Sequence, residues 1–123
     1  MDRETFQRLV AEAVDSLPEE FRARLENIDV VVEARPTKGQ LAEAGLGCGE
    51  TLLGLYEGVP LTERGSHYGL VPPDKITIFQ KPIEAQCGHD AEIIAEIQRV
   101  VRHEIAHHFG IGDARLEQLG EDL

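Results

Sequence analysis

The segment at residues 91–109 has the apolar period of an α-helix, and this helix constrains the fold more than any other feature of the chain. On a helical wheel that starts at Ile93, Ile97 and Val100 lie within about 40° and define one apolar stripe. Glu104 lies inside that stripe, at about 20°. A carboxylate that is buried without a partner costs several kcal/mol. The helix is therefore expected to cover a core in which Glu104 has a specific polar role.

Two histidines flank Glu104 in the pattern His103-Glu104-x-x-His107. Residues four apart lie about 40° apart around a helix and one turn apart along it, so the two imidazoles can hold one ion between them. Glu104 points toward the same region and is placed to take a proton from a metal-bound water. The spacing predicts that His103 and His107 are zinc ligands and that Glu104 is the catalytic base and acid.

The third ligand is predicted from the residues that follow, His107-x-x-Gly110-x-x-Asp113. Glycine accepts the left-handed conformation that ends a helix, so Gly110 can end it and the next turn can deliver Asp113. Two histidines and one carboxylate leave the fourth zinc position open, as in catalytic sites. Glu117 or Glu121 could replace Asp113 if the tail folds back as a helix. Manganese or iron could also fill such a ligand set.

The remaining sequence predicts a second long helix and a small sheet. Residues 2–17 repeat apolar side chains at helical steps and end before Pro18. Three β-branched or apolar segments are strand candidates, namely residues 28–33, 51–56 and 75–80, the last stopped by Pro82. The order helix, three strands, helix predicts an α+β fold, with a sheet of three to four strands packed on the N-terminal and C-terminal helices.

Glycine and proline predict loops between these elements. Residues 37–50 are expected to be mostly loop, with a turn of helix at 41–44, and residues 61–74 an irregular loop. The chain has 123 residues, the size of one domain, so a single domain over residues 1–123 is predicted.

Composition excludes several classes of partner. Against 23 Asp and Glu there are only 12 Lys and Arg, and a net charge of −11 argues against nucleic acid and anionic membrane partners. No apolar run approaches the roughly 20 residues of a membrane span. The first residues do not read as a signal peptide, and Cys48 and Cys87 are too few for a disulfide framework. These features predict a cytoplasmic protein with reduced thiols.

The sequence resembles the zincin metallopeptidases, and more narrowly a small bacterial family of candidate zinc proteases with a minimal zincin-like fold. The resemblance includes residues 53–58 (LGLYEG), 60–62 (PLT), 73–76 (PDKI) and the motif from His103 to Glu117. It implies that His103, His107 and Asp113 bind zinc, that Glu104 is the general base and acid, and that a strand lies beside the cleft. Larger zincins use a histidine as the third ligand, where this chain has Asp113.

The favoured interpretation is a zinc-dependent hydrolase of peptide or protein substrates, with the substrate extended along an edge strand at residues 52–56 or 76–79. Oxyanion donors could come from Tyr56, Arg64, His67 or Tyr68; alternatively, Tyr56 packs on the core. A different hypothesis is a zinc-stabilised interaction or regulatory domain without peptidase activity. The sequence leaves the oligomeric state open.

Overall fold

The computed structural model describes residues 1–22, 28–46, 51–58 and 74–109. The helices are α1 (Arg3–Asp15), α2 (Glu19–Arg22), α3 (Lys38–Glu43), α4 (Gln80–Ala85) and α5 (Asp90–Phe109). The strands are β1 (Ile28–Glu33), β2 (Gly54–Glu57) and β3 (Asp74–Phe79). The predicted α+β fold with a small sheet is confirmed. None of the described helices is long and apolar enough to cross a membrane.

The three described strands form one mixed sheet in the order β1-β3-β2. β1 runs parallel to β3, with Val30 opposite Ile76, and β2 runs antiparallel to β3, with Tyr56 opposite Ile76. β3 is therefore the central strand, and its buried Ile76 and Ile78 suit a strand with neighbours on both sides. Of the two segments predicted to form an edge strand, residues 52–56 overlap β2, which lies at an edge of the described sheet as β1 does. The prediction of an edge at residues 76–79 is wrong, because these residues belong to the central strand β3.

The core lies between one face of this sheet and the helices α1 and α5. α1 contributes Phe6 and Val10, β3 contributes Ile76 and Ile78, and α5 contributes Ile93, Ile97, Val100, Val101 and Ile105. These side chains are at most 7% exposed. The predicted stripe of the last helix is thus the surface that covers the sheet.

α4 is a helix that the strand and proline signals did not predict. The third predicted strand ends at Phe79, and Gln80–Ala85 turn into a helix although Pro82 lies within it. Pro82 is the third helical residue, where the backbone N–H has no intrahelical acceptor, so proline is tolerated there. The strand ends before Pro82, as predicted, but the proline does not prevent a helix.

The predicted loop at residues 37–50 contains the helix α3, which begins earlier than the turn expected at 41–44. A capping box starts it: Thr37 Oγ1 accepts a hydrogen bond from Gln40 N at 3.1 Å, and Gln40 Oε1 accepts one from Thr37 N at 2.8 Å. This pair satisfies two N–H groups at the helix start. β2 also differs from its predicted bounds, since it begins at Gly54 and ends at Glu57.

Candidate metal centre

The last turns of α5 bring three predicted site residues together. One donor atom from each of His103, Glu104 and His107 lies within 4.8 Å of the other two. The imidazole centroids of His103 and His107 are 4.5 Å apart, with their planes inclined by 62°. Glu104 Oε1 lies 3.5 Å from His107 Nδ1. The helical spacing is sufficient to create this cluster, because all three residues lie on one element.

The donor set fits a zinc ion. Two imidazole nitrogens bound at about 2.0–2.1 Å in tetrahedral geometry lie about 3.3 Å apart. Donor atoms within 4.8 Å of each other reach that separation by side-chain rotation. The His103 side chain is half-buried, whereas that of His107 is 49% exposed. A site with one open side can admit both an ion and a substrate.

Glu104 is buried, as its place in the apolar stripe predicts, with 5% of its surface exposed. Burial raises the pKa of Glu104 above its ordinary value, while the neighbouring His107 and His103 and a hydrogen bond from the backbone N–H of Tyr56 act in the opposite direction. A carboxylate with a raised pKa holds a proton more readily than an exposed one. This is the property that a base needs when it must later act as an acid.

The edge strand β2 packs directly against α5 at Gly54. A Cβ atom placed on Gly54 would lie only 2.7 Å from Val100 Cγ1 and 3.1 Å from Glu104 Cγ. Gly54 is buried, and the motif around His103 gives no indication that this glycine lies beside the site. The available signal is the glycine itself, since glycine inside a strand often marks the close approach of another element.

Tyr56 is anchored at both its side chain and its backbone. Its hydroxyl donates a hydrogen bond to Asp74 Oδ2 at 3.2 Å, and its ring packs on the core. Its backbone N–H donates to the Glu104 carboxylate. The prediction that Tyr56 packs on the core is confirmed, and the hydroxyl is directed to Asp74, which is buried at the start of β3.

Several predicted residues lie outside the described part of the chain. They are the helix-ending Gly110, the third-ligand candidates Asp113, Glu117 and Glu121, the oxyanion candidates Arg64, His67 and Tyr68, and Cys48. The third ligand therefore stays a prediction. Cys87 is described and is a half-buried free thiol. Burial and the nearby carboxylates of Glu96 and Glu92 raise its pKa.

Comparisons with known proteins bear on the family and the overall fold of the chain. A sequence model of the zincin-like metallopeptidase family matches residues 25–122, which include the sheet, α5 and the whole histidine motif. Among solved structures, the chain is similar to a conserved hypothetical protein from Thermus thermophilus, with a TM-score of 0.57 and 26% identity. That match covers 99% of this chain and 100% of the other. No curated protein matches the chain.

Proposed function

The chain belongs to the zincin-like metallopeptidase family, and from this premise we propose that it is a zinc-dependent hydrolase of peptide bonds. The observation that carries the proposal is the burial of Glu104 beside His103 and His107, at the place where α5 meets the edge strand β2. A buried carboxylate between two imidazoles has no packing advantage and is costly without a specific use.

In this proposal His103 and His107 hold the ion, and Asp113 is the third ligand. The family implies a divalent metal, and zinc supplies a Lewis acid that polarises a carbonyl and lowers the pKa of a water molecule toward neutrality. The open side of the cluster, where His107 is half exposed, is the side from which a substrate would enter.

Glu104 moves the proton. Its carboxylate takes a proton from the attacking water, holds it while the tetrahedral centre forms, and returns it to the leaving amine. Burial, which raises the pKa of Glu104, favours the protonated form that the second half of this cycle requires. The hydrogen bond from the backbone N–H of Tyr56 acts in the opposite direction and favours the ionised carboxylate that the start of the cycle requires.

The proposed substrate is an extended peptide or protein segment beside β2. β2 lies at an edge of the described sheet, next to the helix that carries the cluster, and strand addition to such an edge is a common mode of peptide recognition. The net charge of −11 disfavours nucleic acid and anionic membranes as partners. We further propose a cytoplasmic location, in keeping with the free Cys87 thiol.

One experiment tests the chemistry through a matched pair of substitutions on the same helix. We expect Glu104→Gln to retain zinc and to lose hydrolysis of an extended-peptide library by about 100-fold or more. Glu96→Gln is the control, because Glu96 lies two turns earlier and pairs with Arg99. It should keep full activity. Full activity in Glu104→Gln would refute the mechanism.

A second pair tests the ligands. His103→Ala should lose stoichiometric zinc in metal analysis of the purified protein. His89→Ala should retain it, because His89 lies before α5 and contacts Glu92 instead. Zinc in both variants would contradict the assignment of His103. A wild-type protein that binds zinc, unfolds without it and cleaves no peptide would support the interaction or regulatory domain instead.

A further inference from the structure

In β2, the backbone N–H and C=O groups of alternate residues point away from β3, toward the side on which α5 packs. Phe79 N donates a hydrogen bond to Leu53 O at 3.0 Å, so Leu53 and Phe79 form a hydrogen-bonded pair. In an antiparallel ladder such pairs alternate with non-bonded ones. Leu55 is therefore the next residue that bonds β3, whereas the N–H and C=O groups of Gly54 and Tyr56 face away from it.

Gly54 allows the helix to reach this edge. Its missing side chain leaves the space that Val100 Cγ1 and Glu104 Cγ occupy, at 2.7 and 3.1 Å from the position of a Cβ atom. Any other residue would push α5 away from β2. The contact is made by the same Glu104 side chain whose carboxylate belongs to the described metal cluster.

Tyr56 supplies the polar half of the contact. Its outward N–H, which no strand of the described sheet takes up, donates to the Glu104 carboxylate. The residue is held in place from the other end by the hydrogen bond of its hydroxyl to Asp74. Gly58 also lies close to this pair, since a Cβ atom there would overlap Asp74 Oδ1.

We propose that β2 positions the catalytic carboxylate: Gly54 admits Glu104 to the edge of the sheet, and the N–H of Tyr56 orients it. The inference rests on the proposed function in so far as Glu104 is the base. Gly54 and Tyr56 are positioning residues, because they act through Glu104.

Amide hydrogen exchange, followed by NMR, tests the hydrogen bond without any activity measurement. We expect the Tyr56 amide to be protected in both the zinc-loaded and the chelator-treated protein. In Glu104→Ala its protection should fall by about 10-fold or more, as expected for the loss of a charged acceptor. The Leu55 amide, bonded to β3, is the internal reference for general opening and should not change. Glu104→Gln should keep the protection, because its side-chain oxygen still accepts.

Equal protection of Tyr56 in wild type and Glu104→Ala would overturn the proposal. So would loss of the protection when zinc is added to wild type, since the carboxylate would then leave the strand in the working state. Failure of the wild type to bind zinc or to cleave peptides would instead refute the proposed function, and would leave the exchange result as it stands.

Gly54→Ala tests the same proposal through the packing contact between β2 and α5. Turnover should fall by about 100-fold while the zinc content and KM are kept, because a misplacement near 1 Å is enough for such a loss. Tyr56 protection should fall with it. Gly39→Ala is the matched control, because its Cβ would lie 3.8 Å from the nearest atom. Wild-type turnover together with wild-type Tyr56 protection in Gly54→Ala would overturn the role of Gly54.

Discussion

The contact between Gly54 and Val100 also predicts a measurable change in stability. A Cβ atom on Gly54 would lie 2.7 Å from Val100 Cγ1, whereas carbon atoms pack best at about 3.5–4.0 Å. The helix or the strand must therefore move by about 0.8 Å. Overpacking of this kind costs about 1–3 kcal/mol, and alanine recovers about 0.4–1 kcal/mol by restricting the unfolded chain. The free energy of unfolding of Gly54→Ala should fall by about 0.5–2 kcal/mol.

A double-mutant cycle identifies the clash as the cause. Val100 is 3% exposed, so Val100→Ala alone should destabilise the protein by about 1–3 kcal/mol through the cavity it leaves. In the double variant, the loss of stability should be about 1 kcal/mol smaller than the sum of the losses in the two single variants. The reason is that the new methyl group fills part of the space that Val100 Cγ1 vacates.

Urea unfolding followed by circular dichroism at helical wavelengths is the assay, since the chain has no tryptophan to report by fluorescence. Gly39→Ala, with no close contact at its Cβ position, should be as stable as wild type or slightly more so. Unchanged stability of Gly54→Ala, or strict additivity with Val100→Ala, would refute the packing argument.

Three further predictions concern the rest of the molecule. Thr37→Ala should lower the free energy of unfolding by about 1 kcal/mol in urea titrations, because the cap of α3 on Gln40 N is lost; no change would mean that α3 frays already. Burial raises the pKa of Glu84, but hydrogen bonds from Gln80 and the N-terminal ammonium group bring the pKa below its ordinary value. The ionised carboxylate therefore stabilises the fold above about pH 4.3, the unfolded-state pKa. This contribution is lost as the pH falls through the lower folded-state pKa. Glu84→Gln should therefore destabilise the protein at neutral pH and become indistinguishable from wild type in acid. Zinc at about 100 times its Kd should stabilise wild type by about 2.7 kcal/mol in thermal melts and leave His103→Ala unaffected; equal shifts in both would place the ion elsewhere.

The cluster on α5 could be predicted from the sequence because its geometry is local. The spacing of His103 and His107 sets their separation on any helix, and the apolar stripe around Ile93 and Ile97 sets which side of that helix is buried. The buried position of Glu104 follows from these two facts alone. The α+β class follows in the same way from periodicity and turn residues.

Other parts of the fold were beyond local signals. The sequence indicates the strand segments but not their order, so it offers residues 76–79 as one of two candidates for the edge strand, although β3 is the central strand. Pairing depends on which strands share a buried face, and that is a property of the assembled sheet. The sequence does not predict α4, because Pro82 indicates the end of a strand equally well, whereas the first turn of a helix also accepts proline.

The sequence by itself determined which residues form the candidate metal cluster, since they lie within two turns of one helix. Only the tertiary structure decided what holds Glu104 in that cluster. Gly54 and Tyr56 are distant from Glu104 in the chain, and they meet it because α5 packs across the edge of the sheet. Such a contact depends on the close packing of two elements, for which a periodic pattern in either element carries no information.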